Sequence, residues 1–358
     1  MRQVYGIVCA GIVLVIGLAA DEIAAQERTS ENNDRLKQLL KEYPQADADR
    51  DGVLTIAEVR AFTAQRRSRV AQQASRLKAW YEAHPRTQTG THYGPHERQV
   101  FDFWQAKGEG LRPLVIYIHG GGWVGGDKEK INPTEIERLL AAGVSVASIS
   151  YRYSTIAPFP APIRDAGRAV QYLRHHAEKF GIDPERVACY GRSAGATSSL
   201  WLAYHDDLAE PMAEDPVLRQ STRLTCAGAI AAPTTLDKAT MDEWFGMKVA
   251  THSAIYPFYA VTDEAELYSE RIKAIAAEAS PINHLSQDDP PVFLDYQGRE
   301  KPLAKEHSAG EVVHHALLGK KLKAAADDRG IEVLLHTREA EFSPETDLIG
   351  FLIERLQP

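Results

Sequence analysis

Six short apolar runs, at residues 114–118, 144–149, 187–190, 224–231, 292–296 and 331–335, stand at intervals along the second two thirds of the chain. Each has strand length, and helical patterns fall between them. Between the second and third runs, Ile163, Ala166, Val170, Leu173, Ala177 and Phe180 share one helical face, and Gly181 stops it. Strand alternating with helix predicts a parallel sheet covered on both faces, an α/β architecture. Residues 237–290 hold no strong strand pattern but carry Trp244, Phe245, Tyr256, Phe258, Tyr259 and Tyr268. An insertion of that kind between consecutive strands is expected to fold over the sheet as a cap, its aromatic side chains packing the cap itself.

Ahead of this pattern lies a different organisation. Arg2, an apolar stretch over residues 6–20 and the polar Asp21 and Glu22 have the layout of a secretory signal, here assigned to residues 1–25. The stretch is shorter than the ~20 residues that a spanning helix needs. Export to the periplasm or the medium is expected, with a cleaved signal or a short N-terminal anchor. Cys9 would leave with a signal, and Cys189 and Cys226 sit in apolar strand patterns, where buried free thiols are expected.

Residues 26–63 predict a helix–loop–helix unit. Asp47, Asp49, Asp51, Gly52, Val53, Thr55 and Glu58 fall where the EF-hand calcium loop places its ligands and its turn glycine. Carboxylates at alternate positions converge on one ion, the Val53 carbonyl adds a ligand, and Glu58 closes the shell. Leu36, Leu39 and Leu40 mark an entering helix, and Ile56, Val59 and Phe62 an exiting one. The unit resembles a solitary EF-hand, so weak, accessory Ca2+ binding is expected. Residues 64–86 read as a charged helical connector, and residues 87–358 as the main domain.

The chain has 358 residues, of which 44% are hydrophobic and 25% charged, with a formal net charge of −8. That balance excludes a nucleic-acid reader, which needs a basic face for phosphates.

Two motifs carry the chemistry. His119-Gly120-Gly121-Gly122-Trp123 follows the first apolar run, and Gly191-Arg192-Ser193-Ala194-Gly195 follows the third. The second is a nucleophile elbow, a sharp strand-to-helix turn that lifts the Ser193 hydroxyl above the sheet. The N–H groups of Gly121, Gly122 and Ala194 are candidates to hold the oxyanion of an acyl-transfer intermediate.

With these motifs the chain resembles the α/β-hydrolase superfamily over residues 92–356. The likeness is to bacterial esterases of the hormone-sensitive-lipase-like and feruloyl or acetyl-xylan esterase-like groups. Tyr93-Gly94-Pro95, Tyr151-Arg152-Tyr153, Phe159-Pro160 before the Asp165 helix, and Gly181-Ile182-Asp183-Pro184 carry it further. The resemblance implies that Ser193 is the nucleophile, that His119 orders the glycine loop, and that the substrate is a small or polysaccharide-linked ester.

Chain order in that superfamily places an acid after the seventh strand and a histidine after the eighth. Glu300 fits the acid, Asp295 lying too deep in its strand. The second position holds Ala340, Glu341 and Phe342, and His336 reads as a strand residue, so the usual base is missing. A serine needs a base within hydrogen-bond reach. His314 and His315, at the opening of the next helix, are the expected substitutes, with His307 as a weaker third. Without a base, the chain would be a catalytically impaired fold serving as a binding or scaffold module. A further reading makes the calcium unit the business of the protein and the hydrolase fold its platform.

Overall fold

The computed structural model describes residues 28–297, 300, 302–338 and 347–357, and the chain divides after Glu82 into two compact units. The expected signal segment and residues 340–342 lie outside the described residues.

In the N-terminal unit, Asn33 caps helix α1 (Asp34–Glu42) by accepting from the N–H groups of Arg35 and Leu36. The loop that follows leads into α2 (Ile56–Ala83), a single helix in which the exiting helix and the expected connector are continuous. Leu54 is fully buried, and residues 29–30 run alongside it. The Ser30 N–H donates to the Leu54 carbonyl at 2.9 Å, the Leu54 N–H donates to Ser30 Oγ at 2.8 Å, and Thr29 bridges to Thr55.

The second unit is built on an eight-stranded sheet of order β1-β2-β4-β3-β5-β6-β7-β8. Its strands are β1 (Gln88–His92), β2 (Val100–Trp104), β3 (Arg112–Ile118), β4 (Ser145–Ile149), β5 (Ile182–Arg192), β6 (Cys226–Ile230), β7 (Val292–Tyr296) and β8 (Val333–Thr337). The first two pair antiparallel, and β3 to β8 are parallel. All six apolar runs became strands, with ends shifted by a few residues. The sequence reading left β1 and β2 unassigned. β1 is a polar edge, and β2 carries the buried Asp102, paired with Arg86 at 2.7 Å and Lys128 at 3.0 Å.

Helices α3 (Pro133–Ala141), α4 (Ala161–His175), α5 (Ala177–Phe180), α6 (Ala194–Tyr204), α7 (Lys238–Phe245), α8 (Ile255–Tyr259), α9 (Glu270–Ala279), α10 (Ala309–Val313), α11 (Ala316–Asp327) and α12 (Leu348–Leu356) complete the unit. Side-chain alternation divides the strands between two faces. Ile116, Ile118, Val187, Cys189, Ala227 and Leu294 join the core cluster beneath α4 and α6. On the opposite face Tyr190 bonds Glu135 of α3, and Phe293 packs against Phe351 of α12. Gly181, at φ 61°, ends α5 in the left-handed conformation, although the expected single helix is broken in two at His176. Cys189 and Cys226 are buried free thiols on adjacent strands. Residues 237–290 contain helices and 3-10 turns and no strand.

Candidate active site

Ser193 stands between β5 and α6 with φ 52° and ψ −122°, a strained conformation for a residue with a side chain. Both elbow glycines are needed for close approach. A Cβ on Gly191 would lie 2.5 Å from the Ile118 carbonyl oxygen, and one on Gly195 would strike the same oxygen. The turn at Ser193 is therefore packed directly against the end of β3.

His314 closes α10, and its Nε2 lies 2.8 Å from Ser193 Oγ. For the serine hydroxyl to donate, Nε2 must hold the lone pair and Nδ1 the proton. Burial, and then the neighbouring His252 ring, hold the His314 imidazole below the ordinary histidine range, so the neutral form dominates near pH 7.

The other histidine candidates are engaged elsewhere. His315 Nδ1 accepts from the Leu317 N–H at 3.0 Å as the cap of α11, and its ring packs edge-on against Phe245. His307 bridges a loop, taking the Ala250 N–H on Nε2 and lying 2.8 Å from the Ala304 carbonyl through Nδ1.

The expected pairing of Glu300 with the histidine is not what the structure brings together. Glu300 Oε2 takes Lys320 Nζ at 2.5 Å, and among the described residues no carboxylate hydrogen-bonds to His314. Asp295 and His336, in the strands where the superfamily order would look, pair with each other at 3.2 Å. They lie in register with Arg192, on the face that carries Glu135 of α3.

The glycine loop is shaped by backbone sterics. Gly121 (φ 113°) and Gly122 (φ 61°) occupy conformations that favour glycine. A Cβ on Gly121 would strike the Gly125 carbonyl, and one on Gly122 would come within 2.6 Å of Ala254 Cβ. Among the described residues, no protein acceptor takes the N–H of Gly121, Gly122 or Ala194, and all three line the same cavity as Ser193.

His119 lies fully buried beneath this loop. Its Nδ1 is 2.8 Å from the Gly120 carbonyl, and its ring stacks on Tyr151 at 4.2 Å. Burial depresses its pKa to about 4, which keeps it a neutral strut. Tyr151 donates to the His119 carbonyl at 2.8 Å, Tyr153 donates to the Gly126 carbonyl at 2.5 Å, and Arg152 is clamped by Asp165 at 2.6 Å. The Tyr151-Arg152-Tyr153 and Asp165 motifs thus act as the loop's foundations.

The cavity over Ser193 measures about 450 Å³. Its apolar wall includes Leu236, Met241, Ile255, Leu267 and Val313, so the 237–290 segment contributes part of the lining around Ser193. A wider depression with Lys248, Glu264, Lys305 and Glu306 on its rim shares Ala250 and Thr251 with this cavity. The sequence reading missed His252, which lines the cavity, because nothing in its local pattern sets it apart. Only the position of the insertion hinted at such a contribution.

In the N-terminal loop, carboxylate oxygens of Asp47, Asp49 and Glu58 lie within 4.8 Å of one another. Gly52, at φ 86°, makes the turn. Asp47 accepts the N–H groups of Arg50 and Gly52, Asp51 that of Val53, and Glu58 those of Ala48 and Thr55. Accepting the Thr55 N–H and hydroxyl, and then the Ala48 N–H, lowers the Glu58 pKa. Asp49 accepts from the Asp51 N–H, which lowers its pKa, yet desolvation with the Asp51 and Glu58 charges raises it overall.

The family model described as BD-FAE matches residues 102–312, more than half of the chain. Carboxylesterase NlhH of Mycobacterium tuberculosis (strain ATCC 25618 / H37Rv) is 30% identical over 185 residues, 52% of this chain and 54% of that protein. Esterase LipI of the same organism is 35% identical over 108 residues, 30% of this chain and 33% of that protein. The chain thus spans about half or less of the length of these curated relatives.

Among solved structures, a truncated form of a carbohydrate esterase from gut microbiota superposes with a TM-score of 0.58 at 20% identity, covering 75% of this chain and 95% of that one. The thermophilic esterase Est2 of the Planctomycetes species Thermogutta terrifontis gives 0.52 at 18% identity, covering 74% and 88%. At these identities the likeness establishes the fold, that of the α/β-hydrolases.

Proposed function

Because the chain belongs to the BD-FAE family, we propose that it is a carboxylic ester hydrolase acting through an acyl-enzyme on Ser193. The observation that carries the reading is the 2.8 Å contact of Ser193 Oγ with His314 Nε2, set beside the N–H groups of Gly121, Gly122 and Ala194.

In the proposed reaction, His314 takes the hydroxyl proton as Ser193 Oγ attacks the ester carbonyl. The carbonyl oxygen becomes an oxyanion held by the three N–H donors. The tetrahedral intermediate collapses, the C–O bond to the alcohol breaks, and His314 returns the proton to the leaving oxygen. Water, deprotonated by His314, then attacks the acyl carbon; the bond to Ser193 Oγ breaks, His314 returns the proton to that oxygen, and the acid is released. The apolar wall suits a short or aromatic acyl group. The polar-rimmed depression next to it suits a hydroxyl-rich alcohol, so the substrate class is a small or polysaccharide-linked ester. Curated esterases and a carbohydrate esterase among the structural neighbours support this class.

Two accessory features belong to the proposal. Asp47, Asp49, Asp51, Glu58 and the Val53 carbonyl would hold Ca2+, an oxygen donor set suited to that ion. Residues 29–30 supply to the Leu54 edge the β-contact that a second hand would give, supporting a stable solitary loop. Its role would be to stabilise the N-terminal unit. Export is proposed from the sequence alone. No helix among the described residues is long and apolar enough to cross a membrane.

The test is hydrolysis of a short-chain nitrophenyl ester together with labelling by a fluorophosphonate probe. Both are expected in the wild type and lost in Ser193→Ala. Turnover or labelling that survives the substitution would overturn the assignment.

A further inference from the structure

At the far end of α6 from the nucleophile, three side chains converge from three elements. His205 caps the C-terminus of α6, Glu278 lies in α9, and His284 ends the 3-10 turn Pro281–His284. One donor atom from each lies within 4.8 Å of the other two.

Their protonation follows from the hydrogen bonds. His205 Nδ1 is 2.8 Å from the Asp206 carbonyl oxygen, and a carbonyl only accepts, so Nδ1 carries the proton. Nε2 then presents a lone pair to Glu278 Oε1, 3.0 Å away. Two acceptors facing each other at that distance require positive charge between them. His284 follows the same rule: Nε2 donates to the Glu278 carbonyl at 2.7 Å, leaving Nδ1 bare. An imidazole with one N–H tied to a backbone carbonyl and its other nitrogen free is how proteins hold a metal-ligating histidine.

The supports are aromatic and buried. Trp201 is 1% exposed and stacks on His205 with ring centroids 3.9 Å apart. It meets His284 edge-on at 6.0 Å, and its Nε1–H donates to the same Glu278 carbonyl at 2.8 Å. The two imidazole rings themselves stand 4.7 Å apart.

We propose that His205, Glu278 and His284 form a binding site for a divalent transition-metal ion of the zinc class, with water completing a four-coordinate shell. Two neutral imidazoles and one carboxylate match that class, whereas calcium and magnesium call for more oxygen ligands. The site lies about 18 Å along α6 from Ser193, at 1.5 Å per residue. Its role is structural: it fastens α9 and the following turn, both in the cap insertion, to the helix that the nucleophile begins. It does not depend on the esterase reading.

The experiment is a Zn2+ titration of the untagged, chelator-treated full chain by calorimetry, with Co2+ absorption in the visible as the geometric readout. The background carries Asp47→Ala and Glu58→Ala, so that the N-terminal carboxylates do not compete. One equivalent of Zn2+ is expected, with a four-coordinate Co2+ spectrum. Glu278→Gln, at an exposed position that tolerates the change, and His284→Ala should each weaken binding by about 100-fold or more. No binding heat, or unchanged affinity in both variants, would mean that a proton alone joins His205 to Glu278, and would overturn the proposal.

Discussion

His314 titrates below the ordinary histidine range because burial, and secondarily His252, disfavour its charged form. A base must be neutral to act, so its activity is lost only when pH falls through that lowered value. The acid limb of kcat/KM is therefore expected below about 6.5, the unperturbed histidine value. His252→Gln removes a like-charged neighbour and should move the limb upward; a pH–rate profile of both proteins checks this, and a downward or absent shift counts against it. Glu300 sits on Lys320 and away from His314. Glu300→Gln is expected to leave kcat/KM close to wild type, whereas loss of a true triad carboxylate costs about 10^4 in kcat. His314→Ala should lower kcat by on the order of 10^4 or more. Steady-state kinetics on one ester separates the two variants. The turn that carries Ser193 was legible from its glycines together with the apolar run before them and the glycine loop upstream. The choice between His314 and His315 was not, because adjacent residues differ only in direction, and direction was set by which ring capped α11.

At the scale of elements, the glycine loop is the most exacting. Gly122 combines a positive φ with a Cβ position 2.6 Å from Ala254. Gly122→Ala should therefore push the loop from the cap segment and tilt an oxyanion donor. A fall in kcat of about 10^2 to 10^3 is expected, the usual cost of one lost donor, with an unchanged far-UV spectrum as the check that the fold is kept. Wild-type kcat in this variant would remove Gly122 from the oxyanion site. The parallel strands were legible because burial on both faces makes them continuous apolar runs. β1 and β2 escaped because a strand paired antiparallel near the edge can be polar, and β2 hides Asp102, which pairs with Arg86 and Lys128 from elsewhere in the chain. The break between α4 and α5 carried no glycine or proline, and so no sequence sign.

Across the whole molecule, His119 ties stability to pH. Its folded pKa of about 4 lies below its unfolded value near 6.5, so the unfolded chain binds the proton first as pH falls. Stability contributed by the neutral ring is complete above about 6.5 and declines by about 1.4 kcal/mol per pH unit down to about 4. Denaturant unfolding at a series of pH values should show that slope, reduced in His119→Gln; an identical slope in both would refute it. The sequence by itself determined the alternating α/β plan, the serine turn and its glycine loop, and the acidic loop of the N-terminal unit. Each of these is written in local spacing, which hydrophobic period and backbone sterics convert directly into shape. The tertiary structure alone decided which histidine meets Ser193, that Glu300 turns to Lys320, that His252 enters the cavity, and that His205, Glu278 and His284 meet. Those contacts join residues as many as 121 positions apart, and no local pattern encodes a distance that only packing of the sheet, its helices and the cap can set.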